Sequence, residues 1–374
     1  MINLTDFKIA SISKKVSSMN IQGGFNGAIM NILPIPSGKL LIAGWFTQYN
    51  GVSSSKIIRL NSDGSIDLTF VVGLGFNNDI NWVALQSDGK LVCVGDFTSY
   101  NGVTVNRIVR LNIDGTIDSS FSIGTGITGQ PNYVTIDSRG RILVCGGGMI
   151  IYNGVPISRL IRLNSNGTLD STFSMGTGTI SGVFGVAEQS DEKLVVIGNF
   201  TSYSGISRSR IVRLNSNGRV DIGFNPGTGF NSTAYGLSIS NDKIVVTGLF
   251  NSYNGSTTPG IAMITSDGTI DPSFNSGTGF NSGCEWNSII DNFIYCYFTS
   301  STNYNGSSMS HIIKLNLDGS VVSSFSTGTG VQNTIFSIAK LSNTRLLIGG
   351  NFTAYNGIVR ARLVKVDNSG TLIN

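Results

Sequence analysis

Residues 81–102 read NWVALQSDGKLVCVGDFTSYNG, and residues 107–121 read RIVRLNIDGTIDSSF. Asn81 to Leu85 has strand character, and the Ser-Asp-Gly turn at 87–89 leads into Lys90 to Phe97, a run that is apolar on both faces. Asp-Gly and Asn-Gly between such runs are strong short-range hairpin signals, because both central residues of a type I′ turn need positive φ. After a loop through Tyr100-Asn101-Gly102, the pattern predicts a third strand over Arg107 to Asn112, a turn at Asp114-Gly115 and a short fourth strand over Thr116 to Phe121. Four antiparallel strands result. The second reads Leu91-Val92-Cys93-Val94 without alternation, and a strand apolar on both faces must be covered on both.

The same text recurs along the chain. The aromatic of a Tyr-Asn-Gly or Tyr-Ser-Gly falls at Tyr49, Tyr100, Tyr152, Tyr203, Tyr253, Tyr304 and Tyr355, at spacings of 50 to 52 residues. Self-similarity at such a period marks a solenoid, a propeller or an array. A radial stack of small sheets covers each sheet by its two neighbours and leaves only short edges exposed. The expectation is therefore an all-β, single-domain, seven-bladed β-propeller over residues 1–374, with about 51 residues and four strands per blade. The last copy stops just after its Ser369-Gly370 turn, and Val16-Ser17-Ser18-Met19 lies in register with Val322-Ser323-Ser324-Phe325 of copy six. The N-terminal segment, residues 1–20, is expected to supply the outer strand of the last blade and close the ring.

The strings DGKLVCVGDF at 88–97 and RIVRLNIDGTIDSSF at 107–121 resemble the delta-60 repeat β-propeller family. The resemblance covers about 350 residues. It is specific at copies one to five and weaker at six and seven; copy three departs at Gly146-Gly147-Gly148-Met149, and copy six lacks the first Gly turn and carries extra residues before Tyr304. It implies a propeller of the kind found in secreted or surface proteins of bacteria and in phage virion proteins, and it brings no family-wide catalytic residues.

Composition excludes several chemistries. Charged residues make up 12% of the 374, about half the usual density, and there are only four Cys and one His, His311. No Cys-x-x-Cys or His-x-x-x-His is present, so neither a zinc site nor another metal or cofactor is expected. Cys93 and Cys145 occupy equivalent strand positions, and all four thiols, with Cys284 and Cys296, are expected to be reduced. No stretch approaches the roughly 20 apolar residues that span a bilayer, and the start lacks the layout of a secretion signal, so neither membrane insertion nor Sec-type export is expected.

The net charge of +4 is dispersed by the repeat. Lys56, Arg107, Arg159, Arg210 and Arg362 hold one repeat position, and Arg59, Arg110, Arg162, Arg213, Lys314 and Lys365 stand three residues later. On a strand that spacing puts the two sets on opposite faces. Asp67, Asp118, Asp170 and Asp221 follow Arg59, Arg110, Arg162 and Arg213 by eight residues, and where the Asp is lost, at Val322 and Ile373, the Arg has become Lys. A structural ion pair in each of those four blades is expected, and nucleic-acid binding is not.

The turn Asn61 to Asp67 is similar to the middle of an EF-hand loop, but the first ligand slot would hold Arg59 and the bidentate Glu slot Phe70. Repeated Gly-x-Gly pairs such as Gly73/Gly75 precede no helix, so they read as blade-to-blade connections rather than a dinucleotide fingerprint. Carboxylates outside turns and pairs are few: Glu188, Glu192, Glu285, Asp6, Asp79 and Asp96. No enzyme activity is expected, a polysaccharide hydrolase or lyase being the least favoured reading.

Departures from the repeat mark where a ligand would bind. Copy six combines Glu285, Trp286, a lengthened loop from Thr299 to Asn303, and His311 at an otherwise basic position; Trp45 and Trp82 are also unrepeated. Aromatic platforms beside polar donors suit sugars, so Glu285, Trp286, Asn303 and Tyr304 are the candidate binding residues. The repeated Tyr is expected to pack beside its turn rather than form seven shallow sites. The reading that follows is a phage structural or attachment protein, located in the virion, docked on other virion subunits and touching a host surface glycan or receptor. The alternative is a bacterial surface or extracellular adhesin or scaffold.

Overall fold

The computed structural model describes residues 24–174, 176–179, 181–300 and 302–373. Each repeat folds into a three-stranded antiparallel sheet in which the strands follow chain order from the axis outward. In blade 2 these are Ile80–Leu85, Leu91–Gly95 and Ile108–Leu111. The middle strand is fully buried, as its unbroken apolar run demands. The turn between the inner two strands is Asp88-Gly89 here, with Gly89 at φ 86°. Copy six has no glycine at this point, and Asp291 and Asn292 adopt the left-handed conformation instead, at φ 50° and 61°.

Two details differ from the four-strand expectation. The segment around the repeated Tyr is a second small hairpin, Ser99–Tyr100 against Val103–Thr104 in blade 2. The fourth strand is reduced to one bridge, Leu111 with Ile117. It ends there because Asp118 turns the chain: its carboxylate accepts from the Ser120 amide at 3.0 Å and its carbonyl from the Phe121 amide at 3.1 Å. Copy three keeps its sheet, Tyr133–Ile136, Ile142–Cys145 and Leu160–Leu163, and Met149 fills the buried place that Phe97 holds in copy two.

Seven hydrophobic clusters are found among the described residues, and each draws on two neighbouring blades. One joins Ile29, Ile32 and Leu40 of blade 1 to Ala339, Leu341 and Leu347 of blade 7. The first and last blades are therefore packed like any other pair, and the sheets form a closed ring. At this seam the Phe25 amide donates to the Ala361 carbonyl at 3.1 Å, and Phe25 bridges to Tyr49. Phe76 repeats the pattern between Ser55 and Tyr100. In blade 7, Leu372 makes the single bridge to Val366 that Ile117 makes in blade 2. The expected closing segment, residues 1–20 with Val16–Met19, lies outside the described residues.

The inner strand carries a bulge near its start in five blades, between Ile29 and Asn31, Ile80 and Trp82, Val183 and Gly185, Ala234 and Gly236, and Ile335 and Ser337. A bulge re-aims the extra side chain. The residues so placed are Met30, Asn81, Phe184, Tyr235 and Phe336, all at one end of the inner strands.

Candidate functional site at the channel mouth

The repeated tyrosines are core residues. Tyr49, Tyr100, Tyr152, Tyr253, Tyr304 and Tyr355 are buried, and each hydroxyl donates to the carbonyl of the glycine fifteen residues on, at 2.5 to 2.9 Å. The bond ties the small hairpin to the turn that follows the third strand. Tyr304 is thereby removed from the candidate binding set: its ring is buried and its hydroxyl is spent on Gly319.

Asn303 stands on the small hairpin Thr302–Tyr304, where its amide donates to Asn281 Oδ1 and its own Oδ1 accepts from Ser308. Glu285 and Trp286 lie elsewhere, at the start of the inner strand. The Glu285 carboxylate accepts from the Thr299 amide at 3.2 Å and hydroxyl at 2.7 Å. Trp286 packs edge-on against Phe336 at 5.4 Å, and Phe336 in turn lies 6.0 Å from Trp45. Trp45 is 41% exposed, while Trp286 and Phe336 are half-buried. The structure thus joins Trp286 of blade 6 to Phe336 of blade 7 and Trp45 of blade 1, a cluster the sequence order conceals. Two further half-buried pairs, Trp82–Tyr133 and Phe184–Tyr235, continue the aromatic lining around the same end of the ring. The signal for it is a pair of adjacent inner-strand positions that vary in identity, one aromatic at Trp82, Tyr133 and Trp286 and the preceding one aromatic at Phe184, Tyr235 and Phe336.

The two basic sets occupy different settings. Arg59, Arg110, Arg162 and Arg213 lie on the third strand, and their Nε atoms donate to Asp67, Asp118, Asp170 and Asp221 at 2.5 to 2.8 Å. Each guanidinium also stacks over a phenylalanine, Phe70, Phe121, Phe173 or Phe224. Each donates as well to a carbonyl of the next blade, Ser216 at 2.6 Å in the case of Arg162. In blade 5, Met263 replaces the Arg, and Lys243 is the one cation paired with Asp271 among the described residues, at 2.9 Å. Sequence reasoning missed this lysine position: Lys39, Lys90 and Lys193 add a second cation to Asp67, Asp118 and Asp221. Burial of Asp67 opposes its charge, but hydrogen bonds from Lys39, Thr69 and Arg59 outweigh it and hold the carboxyl well below the ordinary range.

The other set is not on a strand face. Lys56, Arg107, Arg210 and Arg362 precede the third strand at φ 63° to 73°, and His311 joins them at φ 65°. The position is left-handed because its amide bonds back across a loop, Arg107 to the Phe97 carbonyl and Arg210 to the Phe200 carbonyl, while its own carbonyl caps the middle strand. Burial lowers the pKa of His311, which stacks on Phe298. The four cysteines are buried as free thiols, and burial raises the pKa of Cys93 and Cys145.

No group of three or more metal-ligating side chains is found among the described residues. Among the described residues, no helix is long and apolar enough to cross a membrane. The ring and its aromatic mouth define a repeat β-propeller, a fold consistent with a binding or structural module. The family model described as "Domain of unknown function (DUF5122) beta-propeller" matches residues 35–70, 86–121, 140–173, 189–224, 239–274, 299–325 and 342–372, and the chain belongs to that family. No curated protein sequence matches it. Among solved structures, the computationally designed Ika8 protein is similar with 13% identity over 96% of this chain and 89% of that one, at a TM-score of 0.54. The WD40 beta propeller domain of Doa1 is similar at 13% identity, 87% and 91% coverage and a TM-score of 0.48. YCF48 bound to D1 peptide follows at 11% identity, 87% and 91% coverage and 0.46. At these identities the likeness is one of fold.

Proposed function

We propose that the protein is a non-enzymatic binding module of a bacteriophage virion, docked on other virion subunits and contacting a host surface glycan or receptor through the channel mouth. The observation that carries this reading is the aromatic cluster Trp45–Phe336–Trp286, set at one end of the inner strands with Glu285 next in sequence to Trp286. Planar rings next to polar groups suit the apolar faces and hydroxyls of sugars. A non-enzymatic role is supported by how the nearby carboxylates are used: Glu285 holds Thr299, Asp79 pairs with Lys56 at 2.7 Å, and Asp96 accepts from Gln130. The virion setting is supported by the Ser-, Thr-, Asn- and Gly-rich composition and the low charge.

Two measurements test it. Mass spectrometry of density-purified particles and of host membrane and secreted fractions should find the protein in particles at fixed stoichiometry; recovery only with cells favours a bacterial surface adhesin. Binding to host cells and to a glycan array should fall about tenfold or more in Trp45→Ala, whose exposed ring adds little to the core. Unchanged binding rejects the mouth as the contact site.

A further inference from the structure

Blade 6 enters its sheet differently from the other six blades, and one residue accounts for it. Elsewhere a glycine stands at the end of the middle strand, and a Cβ at Gly44, Gly95 or Gly248 would overlap the carbonyl of Ala28, Asp79 or Thr233 at the entry to the inner strand. Blade 6 has Phe298 at that place: its amide bonds to the His311 carbonyl, as the Gly95 amide bonds to Arg107 and the Gly248 amide to Gly260. Its entry segment therefore takes another course. The Thr299 amide, whose counterparts Trp45, Asp96 and Leu249 bond to those entry carbonyls, is held by the Glu285 carboxylate instead, and the Cys284 amide bonds across to the Gly248 carbonyl of blade 5 at 3.1 Å. This course sets Cys284 against the sheet. Its thiol donates to the Trp286 carbonyl at 3.2 Å and lies 3.7 Å from the carbonyl of Tyr297, the residue after Cys296. Cys296 stands on the middle strand opposite Asn287 and Ile313, and the two thiols are within hydrogen-bond reach of each other, both buried in one hydrophobic cluster. Cys93 occupies the same place in blade 2, opposite Val83 and Val109, and no second cysteine shares its cluster.

We infer that Cys284 and Cys296 form an intrachain disulfide when the protein meets a small-molecule disulfide, and that this bond pins the entry of blade 6 to its middle strand. Cys284 belongs to the displaced segment rather than to a strand, so it is the thiol uncovered when that segment opens. Its thiolate attacks one sulfur of the small disulfide, forms a mixed disulfide and expels one small thiolate; the Cys296 thiolate then attacks the Cys284 sulfur and expels the second. The pair loses two protons and two electrons, and the small disulfide becomes two thiols. Burial raises the Cys284 thiol well above its ordinary pKa, so the exchange passes through local opening of the blade. Once formed, the bond closes the loop 284–296 and holds the segment that carries Glu285 and leads into Trp286.

The test treats the full chain with oxidised glutathione, both in buffer and in denaturant just below the unfolding transition, so that access does not limit the reaction. The products are alkylated after denaturation and read by mass spectrometry. Both cysteines lie in the tryptic peptide 244–314, which contains no other. The treated protein should keep two alkylatable thiols of its four, Cys93 and Cys145, with peptide 244–314 unalkylated and lighter by two hydrogens than its reduced form. Amide exchange over residues 284–299 should slow about tenfold or more relative to the reduced protein, while residues 79–96 of blade 2 stay unchanged. Cys296→Ser should stop the reaction at the mixed disulfide and leave glutathione on Cys284; if that variant does not fold, the thiol count of the unaltered chain decides. Four thiols remaining at equilibrium, glutathione retained on the unaltered chain, or a bond to Cys93 or Cys145 overturns the pairing. A bond between Cys284 and Cys296 that leaves exchange unchanged overturns its role as a pin.

Discussion

The clearest residue-level contrast is between two tyrosines at the same repeat position. Tyr253 donates to the Gly268 carbonyl at 2.6 Å, whereas the buried Tyr203 hydroxyl has no hydrogen-bond partner among the described residues. Tyr253→Phe should therefore cost about 1 kcal/mol or more, since it strips a buried bond. Tyr203→Phe should be neutral or slightly stabilising, because it removes only an unsatisfied polar atom. Chemical denaturation of the two variants checks the difference. A second contrast lies at the left-handed position. Gly260, at φ 74°, stands where other blades strain a Lys, Arg or His. A Cβ there would meet Phe280 Cβ at 2.9 Å. Gly260→Ala should cost about 1–2 kcal/mol for the left-handed backbone alone, before any clash, and a thermal melt measures it. Periodicity showed the basic residues of this position but not their conformation. A spacing of three can be read as two strand faces or as a loop followed by a strand, and only the amide bonds to Phe97 and its equivalents choose the loop.

Within a blade, the ion pairs fasten the third strand to its turn and to the neighbouring blade. Asp67, Asp118, Asp170, Asp221 and Asp271 all titrate below the ordinary range; for each, burial opposes the shift and hydrogen bonds with neighbouring cations overcome it. Their folded pKa lies beneath the unfolded value of about 3.9. The native state thus binds fewer protons, and the stabilisation is present above that value and lost as pH falls towards the folded pKa. Melting temperature should be flat from about pH 7 to 5 and fall steeply below about pH 4. Replacing Asp67 and Asp118 with Asn should lower the plateau and flatten the acid limb; an unchanged limb would show that other groups govern it. The Arg–Asp spacing was legible because both members recur in one copy at fixed separation. The lysine on the middle strand was not linked to the same carboxylate, since strand pairing brings together residues some 28 positions apart, as in Lys39 and Asp67.

At the scale of the whole ring, every seam is a core, so loss of one seam is felt by two blades. Phe25 is buried between Phe46 and Tyr49 at the junction of blades 7 and 1. Phe25→Ala should cost about 3–5 kcal/mol, and hydrogen exchange should quicken in blades 1 and 7 together. A change confined to blade 1 would mean that the junction does not depend on this residue. Seven blades, the hairpin turns and the buried middle strands were determined by the sequence itself. They depend on local chemistry: positive-φ turns, unbroken apolar runs and a period that repeats both. The mouth was decided only by the tertiary structure. Trp45, Trp286 and Phe336 occupy different repeat positions in three blades, and a bulge, one residue long and without a sequence signature, turns Phe336 between the two tryptophans. Ring closure brings residue 45 beside residue 336, and a contact across that separation is set by packing of whole sheets rather than by any local preference.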